Sequence, residues 1–524
     1  MNDFIKLISE IKENECIPES VKKAISYSIS FSQAAINPVE LFSKIKITAE
    51  DKYILSLFLI DEAFGGDTAR YWNFIKDCNI INPDFESSRR IYSITKSLIK
   101  GTILHKKIKS SYISEVLIYI QKHLNSTIKN KPLVRQFNLS NKKHLSITIV
   151  ASILSPHRTG AHLGVVYNII KGLISSHQKD VIVNLALTGE GTVKTSFGNI
   201  SFLDNKKITS HKIKWKNEGG NGELYIGCSE LYDNKFDSFI DFAERVETDV
   251  MLFLGDIFES KLFRRLTYDY FPVAYTYGTS TNDPKGFVDS IISRGSVSFL
   301  ERVQADYKAR CLVDVVPAFM QTPLPFKEYV GQPLDDDFFW IFTPLQSNRL
   351  EVSFSNLSNT ERNFILKTII QNNIAWAFAG EVNRDNLFNI WPELKELENL
   401  KRLRFLGYID SLRGLKDQVK ITFMPPNVAG GAGGVQALIT EGVPAIIPII
   451  SDATSTVPES GVYSTVEECV LKLELSINSM DFYATLKSDI ENKKKNNSFE
   501  SVGDAWFLSL LKASSFGKSR LMRV

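Results

Sequence analysis

From His144 onward, short apolar runs with strand character alternate with amphipathic helical stretches, and this alternation limits the chain to a few architectures. Residues 144–154, 181–187, 250–255 and 272–278 form the first series of runs, with a helical pattern over 239–246. A second series follows at 339–342, 374–379, 403–406, 419–423 and 445–447, with helical stretches between them such as 360–371. Strands this apolar are covered on both faces, and helices between them make the sheets parallel. The predicted class is α/β.

At 524 residues the chain exceeds a single core and predicts two or three domains. Residues 1–140 read as a helical N-terminal domain, with periodic apolar positions at Phe4, Ile5, Leu7, Ile8 and Ile11, again over 54–60, and at Ile113, Val116, Leu117 and Ile120. A polar, basic stretch at 125–141 reads as a linker. The first α/β domain spans 141–330 and the second 331–495, with the Pro- and acid-rich residues 317–337 as the connection. Residues 464–492 predict two closing helices, 493–497 a charged break, and 502–514 a last amphipathic helix within a 496–524 segment.

Composition excludes several classes. A hydrophobic content of 44% and a charged content of 23% are ordinary for soluble domains. A net charge of +3 is too small to argue for nucleic acid. Five scattered cysteines without CxxC spacing read as a reducing compartment and no structural zinc. All seven histidines lie at or before His211, which leaves the second half without a His-based metal cluster. Asp335-Asp336-Asp337 invites a DxD metal reading, but it precedes a strand instead of ending one, so a solvated loop is the better reading. No run reaches the roughly 18–20 apolar residues of a membrane helix, and Met1-Asn2-Asp3-Phe4-Ile5 lacks signal-peptide architecture. The expected location is cytoplasmic. The lysine-rich stretch 97–109 adds a peripheral contact with the inner face of the membrane as one reading, and a solvated helix face as the plainer one.

Residues 424–448 condense the pattern into a strand end, a glycine-rich turn, one helix, Gly442-Val443-Pro444 and a further strand. Gly430, Gly431, Gly433 and Gly434 leave no Cβ between the backbone and a bound phosphate. The helix that follows, through Val435 and Gln436, offers first-turn N–H groups to an anion. No Gly-Lys-Ser or Gly-Lys-Thr follows, so this is not a P-loop. A dinucleotide fingerprint would open the first strand–helix unit, whereas these glycines come late. The plainer alternative is a turn whose glycines serve close packing. Gly442 falls where a helix end wants positive φ, and Pro444 cannot continue the helix.

Far upstream, the strand at 144–154 breaks at Ser155-Pro156 into His157-Arg158-Thr159-Gly160-Ala161-His162 and then an apolar helix. The pattern Gly-Gly-x-Gly-Gly-x-x-x-Leu-x-x-x-Gly-Val-Pro resembles the donor-site element of GT-B glycosyltransferases, over roughly residues 145–495. The segment from His157 to His162 looks like that of the branch holding the O-linked N-acetylglucosamine transferases and the bacterial adhesin protein N-glucosyltransferases. Gly255-Asp256, Tyr275-Thr276-Tyr277-Gly278 and residues 342–349 carry further similarity. The resemblance implies two Rossmann-like domains facing a cleft, with the last helix crossing back to the first. It implies donor contacts at Asn348, Arg349, Gly430, Gly431, Gly433, Gly434, Val435 and Gln436. It also implies cleft contacts at Arg158, Gly160, Asp256, Tyr275 and Tyr277. Two departures stand out. The Glu-x(7)-Glu of the commonest retaining type is replaced by glycine or alanine and Gln436, and the lysine of the O-linked branch by Asn348 and Arg349, with Arg349 as the substitute cation.

These residues predict an inverting, metal-independent glycosyltransferase that uses a nucleotide diphosphate sugar, most simply a UDP-sugar, as co-substrate and no cofactor. His157 or His162, titrating near neutrality, is the expected base. The expected acceptor is a glycan, a lipid-linked glycan of surface polysaccharide assembly, or a protein side chain, with residues 1–140 offering a partner-protein or membrane contact. The alternative is a non-catalytic nucleotide-sugar-binding scaffold or regulator of a partner transferase. An epimerase of the same fold would need cleft carboxylates that the sequence does not place.

Overall fold

The computed structural model describes Asn73, 144–151, 161–188, 194–195, 198–199, 212–215, 220–226, 236–255, 260–276, 287–294, 311–321, 328–345, 347–409, 411–428 and 431–523. The expected helical domain at 1–140 lies outside these residues, Asn73 apart. Two sheets organise the rest into a front and a rear lobe.

The front lobe runs β1 (Leu145–Ala151), α1 (Ala161–His177), β2 (Val181–Leu187), β3 (Lys212–Trp215), β4 (Gly220–Ile226), α2 (Phe236–Arg245), β5 (Val250–Leu254), α3 (Lys261–Thr267), β6 (Val273–Thr276), β7 (Ser290–Arg294) and β8 (Leu312–Val316). The sheet order is β8-β7-β6-β5-β1-β2-β4-β3, parallel except for β3 against β4. Central strands such as Val250–Leu254 are buried throughout, which accounts for their unbroken apolar sequence. Strands β3, β4, β7 and β8 escape the sequence pattern. In β8, Leu312 to Val315 are only partly covered or exposed, and in β7 Ser290 and Ser293 are buried, so neither reads as a clean apolar run.

The rear lobe runs β9 (Phe339–Pro344), α4 (Ser347–Ser355), α5 (Asn359–Gln371), β10 (Ile374–Ala379), α6 (Arg384–Ile390), α7 (Leu394–Asn399), β11 (Leu403–Phe405), β12 (Ile421–Phe423), α8 (Ala432–Ile439), β13 (Ala445–Pro448), β14 (Val462–Tyr463), α9 (Val466–Asn478) and α10 (Met480–Asn496). All six strands are parallel, in the order β11-β10-β9-β12-β13-β14. Its core is aromatic: Trp376, Trp391, Phe354, Phe378 and Phe423 meet mostly edge to face. Asp335, Asp336 and Asp337 are exposed in the turn before β9.

The expected break at 493–497 is corrected: α10 continues through Lys493, Lys494 and Lys495 to Asn496. Basic residues are favoured in a last helical turn, where they face the negative end of the helix dipole. The chain turns only at Asn497, and Ser498 caps the next helix, α11 (Phe499–Leu521), by accepting from the Ser501 N–H.

Helix α11 lies on the front lobe. Val502, Trp506, Leu510 and Ala513 join the front core, and Gly503 meets Gly172 of α1 backbone to backbone. Lys518 pairs with the buried Asp249 at 2.8 Å, and Arg520 with Asp289, which has no exposed surface, at 2.6 Å. No helix among the described residues is long and apolar enough to cross a membrane.

Candidate functional site

In a doubly wound sheet, ligands bind beyond the carboxyl ends of the strands where the winding reverses. In the rear lobe that point lies between β9 and β12. The loop after β9 leads into α4, and the loop after β12 holds the glycines and leads into α8.

The two loops are locked together. Thr343, at the end of β9, donates from Oγ1 to the Phe423 carbonyl at 2.6 Å and accepts from Trp376 Nε1 at 2.9 Å. Ser353 of α4 donates to the Pro426 carbonyl, and Tyr463 donates its hydroxyl to the Met424 carbonyl at 2.6 Å. Burial pushes the Tyr463 phenol well up, and it raises the neighbouring Cys469 thiol to about 12. Both therefore stay neutral beneath the loop.

Gly431 has φ +90°, a left-handed conformation that favours glycine, and a Cβ there would strike the Met424 methyl. Its carbonyl accepts from the N–H groups of Gly434 and Val435 at 3.1 and 3.2 Å, closing the first turn of α8. Gly434 lies against Pro344, where a Cβ would stand 2.7 Å from the proline ring. These glycines do serve close packing, and that packing brings the first turn of α8 directly beside the end of β9. At the far end of the helix, Gly442 takes φ +85° as its position requires.

The sequence-derived site residues fall out as follows. Arg349 is exposed in the first turn of α4, and Asn348 precedes it in the same helix. Gly431, Gly433 and Gly434 lie in the cap and first turn of α8, while Gly430 is outside the described residues. The Val435 side chain has no exposed surface, and its N–H donates to the Gly431 carbonyl. Gln436 donates its side-chain amide to the Phe319 carbonyl, in the crossing between the lobes.

In the front sheet the winding reverses between β1 and β5. His157, Arg158, Gly160, Asp256 and Tyr277 lie outside the described residues, and His162 is placed only as the second residue of α1. Tyr275 is fully buried, its ring lies 5.1 Å from the Arg264 guanidinium, and its hydroxyl abuts Gly255. A cavity of about 460 Å³ does open between the lobes, but beside the C-terminal end of α8 at Thr440 and Glu441, away from the glycines. Among the described residues no three His, Cys, Asp or Glu side chains gather as a metal site.

The structure is similar to that of a mutant O-GlcNAc transferase from Thermobaculum terrenum, at 11% identity and a TM-score of 0.50, over 98% of each chain. Anabaena HepE, in complex with UDP and glucose, aligns at 12% identity and a TM-score of 0.42, over 70% of this chain and 100% of that one. The sucrose-phosphate synthase of Thermosynechococcus elongatus aligns at 10% identity and 0.41, over 73% and 100%. No protein-family model and no curated protein matches the chain. The likeness to the Thermobaculum structure is one of fold: two parallel-sheet Rossmann-like lobes in the GT-B arrangement.

Proposed function

We propose that this chain transfers a sugar from a nucleotide diphosphate sugar, read as a UDP-sugar, to a glycan, lipid-linked glycan or protein acceptor. The observation that carries the reading is the meeting of the two loops at the rear switch point. Gly431, left-handed at φ +90°, starts α8 beside the end of β9, and Arg349 stands exposed one short helix turn further on. The fold shared with an O-GlcNAc transferase supports the same reading.

In this reading the diphosphate lies against the amides that open α8, where the helix dipole favours negative charge. As the bond to the anomeric carbon breaks, charge grows on the leaving diphosphate. Preorganised N–H groups and the Arg349 guanidinium stabilise that charge with no reorganisation, so no metal is required. His157 or His162 takes the acceptor proton, and the acceptor attacks in line with the departing diphosphate, inverting the centre. The missing pair of glutamates fits inversion.

Incubating the full chain with a panel of nucleotide sugars tests the proposal. Release of nucleoside diphosphate, accelerated by an acceptor fraction, is the expected result. Tight nucleotide binding with no turnover under any acceptor condition would replace it with the scaffold reading.

A further inference from the structure

The cavity of about 460 Å³ between the lobes lies at the opposite end of α8 from the glycine-rich loop. The eight residues of that helix set the two about 12 Å apart, at roughly 1.5 Å per residue. The volume falls within the range of small-molecule pockets, about 300–1,000 Å³. Both lobes line it. Lys171 and Ser175 of α1 and Glu500 of α11 stand on the front side, and Thr440, Glu441 and Lys494 of α10 on the rear.

The lining does not suit an apolar ligand. Among the described residues its apolar side chains are Met320 and Phe499, which are 0% and 6% exposed, and the Lys171 ammonium lies over the Phe499 ring at 4.8 Å. Nor does it suit a ligand of net charge. Lys171, Arg413 and Lys494 bring positive charge, Glu441 and Glu500 negative. Much of that charge is already matched. Glu441 pairs with Arg413 and, at 3.6 Å, with Lys416, while Lys494 pairs with Glu491 at 2.8 Å. An anion would have to face the two carboxylates, and a cation the basic heads, and like charges brought together are costly.

A neutral molecule dense in hydroxyls meets no such conflict, because each hydroxyl both donates and accepts. It can donate to Glu441 or Glu500 and accept from Lys171, Lys494 or the Gln321 amide, and bonds to ionised partners are the stronger kind. Ser175 and Thr440 add hydroxyls of their own. We propose that this cavity is a second ligand site, for a neutral saccharide, separate from the glycine-rich loop. No residue of that loop lines it, so the site does not rest on the diphosphate reading given above.

The test uses the full chain and saturation-transfer NMR, with maltose, lactose and di-N-acetylchitobiose as probes at millimolar concentration. At least one should bind the parent. Ser175→Phe, at an exposed position of α1, fills the space and should abolish that binding while the unfolding midpoint stays close to that of the parent. Glu500→Gln, also at an exposed position, keeps the size but replaces a charged acceptor with a neutral one. It should weaken the binding by about fivefold or more. A folding defect in either variant leaves the other to decide. Binding of none of the three probes to the parent would overturn the site. Binding that survives Ser175→Phe unchanged would put the saccharide elsewhere and overturn it too. Inorganic phosphate that displaces the bound disaccharide from the parent, and is itself lost in Ser175→Phe, would replace the saccharide with an anion.

Discussion

A Cβ on Gly434 would stand 2.7 Å from both Cβ and Cγ of Pro344 and 3.2 Å from its carbonyl oxygen. The end of the first rear strand and the first turn of α8 thus approach as closely as backbone allows. Gly434→Ala should displace the helix from β9. Overpacking of this kind costs about 1–3 kcal/mol of stability, and the displaced first turn of α8 should bind nucleotide more weakly. Calorimetric titration with UDP beside a urea unfolding curve checks both.

Tyr463→Phe should loosen the same loop from below. The hydroxyl that donates to the Met424 carbonyl disappears, leaving a buried acceptor without this partner. A loss of about 1–3 kcal/mol is expected, with faster amide exchange over residues 424–428 and little change in the front lobe. Equal exchange in both proteins would contradict this role.

Arg520→Met should be costly although Arg520 lies far from the candidate site. It removes the guanidinium that faces the fully buried Asp289 carboxylate, which then keeps only neutral donors such as the Val273 N–H. Breaking one side of a buried pair typically costs about 3–5 kcal/mol. Denaturant unfolding should show the deficit, with rear-lobe nucleotide binding retained.

Alkaline pH should destabilise the rear lobe through Cys469. Its thiol is pushed from 9.0 to about 12 by burial, so the unfolded chain releases this proton first as pH rises. The stabilisation is complete below pH about 9 and is lost progressively toward 12, with a slope near 1.4 kcal/mol per pH unit at most. Tyr463, raised by burial, acts in the same direction, and Lys493, lowered by burial, acts in the opposite one. Cys469→Val should flatten the fall in thermal midpoint between pH 9 and 11. A parallel fall in both proteins would assign the effect elsewhere.

His157→Ala and His162→Ala should reduce turnover while leaving UDP affinity close to the parent value. Steady-state rates with a responsive acceptor separate the two histidines, and unaltered rates in both would remove the proposed base.

The rear lobe was legible wherever burial makes a strand apolar from end to end. Residues 374–379 and 445–447 announced β10 and β13, and the glycines announced the turn into α8. Two-residue β14 and the half-covered β8 carry too little apolar sequence to stand out. The burial of Tyr275 was not legible, because a strand ending in Tyr-Thr-Tyr-Gly reads the same whether its aromatic ring is exposed or fills the space beside Gly255. The Gln436 contact was not legible, because its partner, the Phe319 carbonyl, lies 117 residues earlier, beyond the reach of any local pattern.

Because α11 completes the front core, the rear lobe is in effect an insertion within the front one. During synthesis, β1 to β8 emerge first yet leave their face toward Val502, Trp506 and Leu510 open while every rear strand is made. The front core is therefore complete only once the chain has passed through the whole rear lobe and returned.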